Sequence, residues 1–153
     1  MNKENIEAII RKASVCRLGM LDGDTPYIVP LCFGYRDDTL YVHGSKKSRK
    51  AELIQKHPKV CFEFDILAEP IPATDPCDWD MRCQSVVGFG EASVVEASEE
   101  KRRALEIITA HYAKGPHAFT ETKLKATMVI KVAILTMTGR QSGFEPQSTI
   151  SKK

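Results

Sequence analysis

Six strand-like runs, joined mainly by short turns, constrain most strongly how this chain can fold. Each run is rich in β-branched, aromatic or other apolar residues and is flanked by turn or polar residues. The runs are VCRLGML from Val15, PYIVPLCFGY from Pro26, TLYVH from Thr39, VCFEFDI from Val60, QSVVGFGEASVVEA from Gln84 and TMVIKVAIL from Thr127. Short turns join antiparallel strands, whereas parallel strands need long crossovers. We therefore expect a mainly β chain with helices, built as an antiparallel barrel.

Three helices accompany these strands in the predicted architecture. The first carries an apolar stripe from Ile6 to Ala13, the second runs from about Ser48 to His57, and the third has Ser98 as its N-cap. The prolines between Leu67 and Met81 predict a loop. Gly88 and Gly90 predict a bend or bulge in the fifth run. We expect one domain over residues 1–142 and a polar tail over residues 143–153.

Composition excludes several classes of protein. The 153 residues suit one domain, and the net charge of +2 is too small to favour nucleic acid or an anionic membrane as the main partner. No apolar run reaches the roughly 18 residues that span a bilayer, and the charged N-terminus does not resemble a secretion signal. The five cysteines form no CxxC pair, so we predict no metal site. We predict a cytoplasmic protein in which Cys16, Cys32 and Cys61 are reduced core residues and Cys77 and Cys83 are free thiols.

The run from Leu40 to Pro58 indicates an anion-binding site. A short strand, a Gly44-Ser45 turn and four cations (Lys46, Lys47, Arg49 and Lys50) precede or begin the second helix. The first N–H groups of a helix lack partners inside the helix, and the helix dipole favours anions there. A phosphate group fits this pattern. The alternative is a solvated basic helix start without a ligand.

Other residues that could carry chemistry are few. There is no P-loop, and the GFG at Gly88 lies inside a strand, where it cannot serve as a dinucleotide fingerprint. His57 and His111 suit capping or packing, whereas His43 ends a strand beside the predicted anion site and is the better candidate for an active-site residue. Trp79 is either a plug over one end of the barrel or a lid that stacks on a planar ligand.

Taken in order, several segments resemble the flavin-binding split-barrel superfamily related to pyridoxamine 5′-phosphate oxidase. The segments are PYIVPLCFGY, LYVHGSKKSRKAELIQKHPKVCFEFD and SVVGFGEA. LYVHGS, HPKVCFEFD, CDWDMRCQSVVGFGEA and TGRQS are most similar to the nitroimidazole-resistance (Nim-type) branch. The likeness covers about Ile6 to Ser142. It implies a six-stranded antiparallel split β-barrel that forms a homodimer, with FMN bound at the subunit interface.

The resemblance also implies roles for particular residues. Ser48, Arg49 and Lys50 match the Ser-Arg-Lys that holds the cofactor phosphate, His43 and Gly44 match a flavin-contacting pair, and Ser85 matches a glutamine that reaches the flavin. The strand expected along the flavin ring comprises Val29, Pro30, Leu31, Cys32 and Phe33.

The sequence departs from the oxidase in ways that bear on its substrate. Val29 and Gly34 replace the arginine and lysine of the second strand, and no C-terminal substrate-binding tryptophan and arginine follow. The resemblance therefore implies an FMN-dependent oxidoreductase that reduces a small aromatic or nitroaromatic acceptor, with His43 as the catalytic residue and Trp79 as a lid. The alternatives are a flavin-binding protein without catalysis, or a split barrel that uses haem or a deazaflavin.

Overall fold

The structure is a computed structural model that describes residues 1–144. Its helices are α1 (Lys3–Lys12), α2 (Arg49–Lys56), α3 (Ser98–Tyr112) and α4 (Glu121–Ala126), with a single 3-10 turn at Pro76–Asp78. Its strands are β1 (Cys16–Asp22), β2 (Thr25–Leu31), β3 (Phe33–Arg36), β4 (Thr39–Ser45), β5 (Lys59–Ile71), β6 (Asp80–Val95) and β7 (Thr127–Ser142). The predicted polar tail beyond residue 144 lies outside the described residues.

All strands join one antiparallel sheet in the order β2-β1-β5-β6-β7-β4-β3. The two end strands, β2 and β3, are consecutive in the chain and are separated only by Cys32. The sheet therefore curves round until its ends meet at this residue, which produces a split barrel. The predicted antiparallel barrel is confirmed, and the prediction of six strands is wrong, because PYIVPLCFGY forms two strands that pair with different partners. Cys32 is as apolar as its neighbours, so no turn residue in the sequence indicated that this run divides into β2 and β3.

Aromatic and aliphatic side chains from both halves of the sheet fill the barrel. Phe33, Phe62 and Phe64 are almost fully buried, and the ring centroids of Phe33 and Phe64 are 4.7 Å apart. Helix α1 covers the barrel with its predicted apolar stripe, of which Ile10 is fully buried. A second cluster lies under α3 and α4. The close approach of α3 requires Gly34, because a Cβ there would lie 2.6 Å from the backbone nitrogen of Ile108.

Several local predictions need correction. The loop predicted from Leu67 to Met81 is confirmed only for residues 72–79, because β5 continues to Ile71 and β6 begins at Asp80, which pairs with it. Leu67 has a φ of 56°, beside the register shift that lets this strand continue. The sequence pattern did not indicate α4, and α3 begins one residue earlier than expected, with Ala97 at the N-cap position. The predicted bulge at the β6 glycines is confirmed by a register shift between Phe89 and Gly90.

Among residues 1–144, none of the helices combines the length and apolar character that crossing a bilayer requires. In the same part of the chain, three or more His, Cys, Asp or Glu side chains nowhere converge as the ligands of a metal ion would.

Candidate functional site

The start of α2 contains an enclosed polar atom without a partner. Ser48 occupies the N-cap position, where its backbone N–H donates to the carbonyl of Ser45 at 3.1 Å. Its hydroxyl makes no capping hydrogen bond. Among the described residues, Ser48 Oγ is the buried side-chain oxygen or nitrogen that lacks a hydrogen-bond partner. Leaving such a group unpaired costs about 1–3 kcal/mol, so the hydroxyl calls for a partner that the described residues do not supply.

Lys50 extends back from α2 over the end of β4. A Cβ on Gly44 would lie 2.6 Å from Lys50 Nζ and 2.8 Å from its Cε, so the absence of a side chain at Gly44 gives the lysine its place. Lys50 is half-buried, and no ion pair involves it among residues 1–144. A half-buried ammonium without an acidic partner can make a strong charge-assisted hydrogen bond with an anion.

Arg49 has a different environment from Lys50. Its guanidinium forms an ion pair with Asp22, at the end of β1, and lies 5.9 Å from the ring centroid of Tyr27 in β2. The Arg49 side chain is 58% exposed, so this pair is largely solvated and contributes little to stability. The sequence suggested equal roles for Arg49 and Lys50, whereas in the structure only Lys50 lacks a carboxylate partner.

His43 lies beside the corner that the end of β4 and the start of α2 form, and beside the split in the sheet. It is exposed on β4, directly before Gly44. The pairing of Phe33 with Val42 places Cys32 next to His43, one residue beyond the end of the ladder. Cys32 is exposed, so its predicted place in the core is wrong, whereas Cys16 is buried and Cys61 is partly buried. The split thus brings His43, Gly44 and Cys32 to one place.

In the segment from Val29 to Phe33, only some of the backbone N–H and C=O groups are free to bind a ligand. Val29, Pro30 and Leu31 belong to β2, an end strand whose one partner in the described sheet is β1. Its other edge therefore has unpaired backbone groups, although Pro30 supplies no N–H. The Phe33 side chain is fully buried, and its N–H donates to the Tyr112 hydroxyl at 3.0 Å. Phe33 therefore packs in the core next to the site, and its N–H is not available to a ligand.

Tyr112 and His111, at the end of α3, hold the bend at Cys32. The Tyr112 hydroxyl accepts from Phe33 N–H and donates to the Ser14 carbonyl at 3.0 Å, and desolvation raises the pKa of Tyr112. The His111 ring lies 4.2 Å from the Phe33 ring, centroid to centroid, which confirms its predicted packing role. The sequence pattern placed Tyr112 in the apolar stripe of α3 but did not indicate the hydrogen bonds of its hydroxyl.

Ser85 and Trp79 lie away from this corner. Ser85 pairs with Arg140 near one end of β7, whereas His43 pairs with Val129 near the other end. These two β7 residues are separated by eleven positions, or about 36 Å of extended strand. Trp79 lies at the end of the β5–β6 arm, 55% exposed, with its indole N–H donating to the Ala73 carbonyl at 3.1 Å. It does not plug the barrel of its own chain.

The corner formed by the end of β4 and the start of α2 suits the phosphate of a cofactor. It combines an unpaired hydroxyl, a half-buried ammonium and the free N–H groups of a first helical turn. The open edge of β2 borders the split on one side, and the exposed His43 lies on β4, on its other side. This donor set fits a phosphorylated planar group such as FMN.

Comparisons with known proteins agree with this geometry. The sequence matches the family described as pyridoxamine 5′-phosphate oxidase over residues 2–141. A candidate 5-nitroimidazole antibiotic resistance protein from Bacteroides thetaiotaomicron is 36% identical, with a TM-score of 0.81 over 90% of this chain and 82% of that chain. A search of curated proteins gives no match.

Two more distant structures share the fold. The flavocytochrome Anf3 from Azotobacter vinelandii is 19% identical, with a TM-score of 0.83 over 94% of this chain and 68% of that chain. An FAD- and haem-binding protein from Mycobacterium smegmatis is 21% identical, with a TM-score of 0.84 over 94% and 73%. The predicted relationship is confirmed: this chain belongs to the pyridoxamine 5′-phosphate oxidase family of flavin-binding split barrels.

Proposed function

We propose that this protein binds FMN, with the cofactor phosphate at the start of α2. The observation that carries the proposal is the Lys50 ammonium held over Gly44 beside the unpaired hydroxyl of Ser48. In this assignment Lys50 supplies the main charge, Ser48 donates its hydroxyl hydrogen to a phosphate oxygen, and Arg49 uses the guanidinium donors that Asp22 leaves free. The open edge of β2 from Val29 to Leu31 offers backbone groups to the flavin ring.

We further propose that the protein is an oxidoreductase that reduces a small aromatic or nitroaromatic acceptor. Bound FMN would supply the hydride or electron transfer. His43, exposed beside Gly44, is positioned to orient the acceptor or to hold the proton that it takes up. Support for a nitroaromatic acceptor comes from the 36% identity to the candidate 5-nitroimidazole resistance protein. The replacement of the oxidase's arginine and lysine by Val29 and Gly34 argues against pyridoxamine phosphate as the substrate.

We propose that two copies form a homodimer through the outer face of β2, β1, β5 and β6. Registered pairs place Ile28, Gly19, Cys61 and Phe89 in one row across these strands. Ile28 and Phe89 are 64% and 56% exposed, and Val87, on the same face, is 41% exposed. Adjacent exposed apolar side chains of this size mark an interaction surface.

The dimer proposal also gives Ser85 a role. Ser85 lies on the same face of β6 as Val87 and Phe89, because alternate residues of a strand share a face. A second copy packed on this face would bring its own Ser85, and the arm that carries Trp79, toward a neighbouring flavin. This arrangement lets Ser85 and Trp79 serve a site that they do not approach within one chain.

An absorption spectrum tests the cofactor assignment. The purified protein should show flavin bands, or acquire them when FMN is added, with quenching of the FMN fluorescence. A Soret band would instead identify a haem protein, and uptake of a deazaflavin in preference to FMN would also overturn the assignment. A protein that stays colourless after FMN is added would refute it.

Catalysis is tested separately with the flavin-loaded protein. The flavin is reduced with dithionite under anaerobic conditions, and its reoxidation by 2-methyl-5-nitroimidazole is followed against free FMN at the same concentration. Reoxidation faster than that of free FMN supports the oxidoreductase. Equal or slower reoxidation, with FMN still bound, would favour the alternative of a flavin-binding protein without this activity.

A further inference from the structure

Lys101, in the first turn of α3, is a buried charged residue without an acidic partner. Its relative exposure is 5%, and no ion pair or side-chain hydrogen bond involves it among residues 1–144. Both acids of the same turn are paired elsewhere, Glu100 with Lys131 at 2.6 Å and Glu99 with Arg102 at 3.9 Å. Burying an unpaired charge costs several kcal/mol unless water or another ion solvates it.

The Lys101 side chain lines a cavity of about 160 Å³ between α2 and the start of α3. The cavity is also lined by Lys46, Gln55, Val94, Glu96 and Met128. The Lys101 ammonium is not among the enclosed, unpaired polar atoms of the described chain, where Ser48 Oγ alone appears. The ammonium is therefore not fully enclosed, and we assign it to the cavity that Lys101 lines.

The charges around the cavity favour a small anion. Its lining includes two lysines, Lys46 and Lys101, and one acid, Glu96, and among the described ion pairs none joins Glu96 to either lysine. The Gln55 amide adds two neutral donors. At roughly 30 Å³ for each water, the volume holds about five waters, or one phosphate-sized ion with its remaining hydration.

We propose that this cavity binds a small oxyanion of the size of phosphate, held by Lys101 and Lys46. The site is distinct from the flavin-phosphate corner, since neither Ser48 nor Lys50 lines it. The two sites are neighbours: Met128 lines the cavity, and its Cε would lie 3.9 Å from a Cβ on Gly44. The proposal does not depend on the protein binding FMN.

Because inorganic phosphate could also enter the flavin-phosphate corner, the test uses the full chain with Lys50→Met, which disables that corner. Phosphate is titrated by calorimetry into this protein and into Lys50→Met/Lys101→Met. We expect saturable binding in the first protein and at least tenfold weaker binding in the second. Lys50→Met/Lys125→Met is the matched control, since Lys125 is an exposed lysine of α4 and should leave the affinity unchanged.

Thermal unfolding without phosphate shows whether the Lys101→Met protein is intact. Its Tm should equal or exceed that of its parent, because a buried unpaired charge has been replaced by an apolar chain of similar length. If that variant does not fold, Lys46→Gln in the same background must show the loss of affinity instead. Phosphate affinity that is the same with and without Lys101 or Lys46, or no saturable phosphate binding in the Lys50→Met parent, would overturn the proposal.

Discussion

Replacing Lys50 by alanine tests the proposed flavin-phosphate site most directly. The Lys50 ammonium has no ion pair among the described residues, and its side chain extends over Gly44, away from the barrel core. Its removal should therefore leave the fold intact. What the protein loses is the cation that we propose binds the phosphate.

The size of the effect follows from the environment of the lysine. A charge-assisted hydrogen bond from a half-buried ammonium contributes about 1.5–3 kcal/mol, which corresponds to a Kd for FMN about 10- to 150-fold higher in Lys50→Ala. Arg49 is mostly exposed and already paired with Asp22. Its replacement by alanine should therefore cost at most about 1 kcal/mol, or roughly fivefold in Kd.

The assay is a titration of FMN fluorescence quenching with the apoprotein of each variant. Lys47→Ala is the matched control, because Lys47 is a neighbouring exposed lysine outside the proposed site. A second perturbation reaches Lys50 indirectly. In Gly44→Ala the new Cβ would lie 2.6 Å from Lys50 Nζ and displace it, so the affinity should fall without any change in charge. If Lys50→Ala and Lys47→Ala bind FMN equally well, the phosphate assignment is wrong.

Four further changes have expected outcomes. His43→Gln should retain FMN but slow reoxidation of the reduced flavin by the nitroimidazole, and undiminished turnover would leave His43 without a catalytic role. Tyr112→Phe removes hydrogen bonds to Phe33 and Ser14 and should lower the free energy of unfolding by about 1–2 kcal/mol in a urea titration. Phe89→Lys should shift the mass measured by light scattering from dimer to monomer. Burial raises the pKa of the Cys16 thiol to about 12, so the unfolded chain loses this proton first and stability falls as the pH rises above about 9. Unfolding of Cys16→Ala, compared at pH 8 and pH 10.5, should show a weaker decline.

Much of the fold was predictable because it rests on local patterns. Runs of apolar residues between turn residues predicted the antiparallel barrel, and the β6 glycines predicted its bulge. The cation-rich start of α2 indicated a candidate anion-binding site, which stays a prediction. The division of β2 from β3 was not predictable in this way. Cys32 looks like a strand residue, and the chain bends there because Val29 and Phe33 belong to strands that pair at opposite ends of the sheet.

The details of the candidate site depend on contacts between distant parts of the chain. Arg49 is paired with Asp22, 27 residues earlier, and Phe33 is bound by Tyr112, 79 residues later. No motif or periodicity links such positions, because the pairs form only once the sheet has curved and α3 has packed on Gly34. The sequence therefore indicated the start of α2 as a candidate site. That Arg49 is paired with a carboxylate while Lys50 is not became visible only in the structure.

The long strand β7 separates two of the residues predicted to contact the flavin. His43 lies across from Val129 and Ser85 from Arg140, near opposite ends of this strand. If one cofactor is contacted by His43 of one copy and Ser85 of another, a two-fold axis produces two equivalent sites per dimer. Binding of FMN and dimerisation would in that case be coupled. Dilution below the dimer dissociation constant should release the flavin, and added FMN should shift Phe89→Lys back toward the dimer. A monomer that holds FMN as tightly as the dimer would show that the site is complete within one chain and that Ser85 has no part in it.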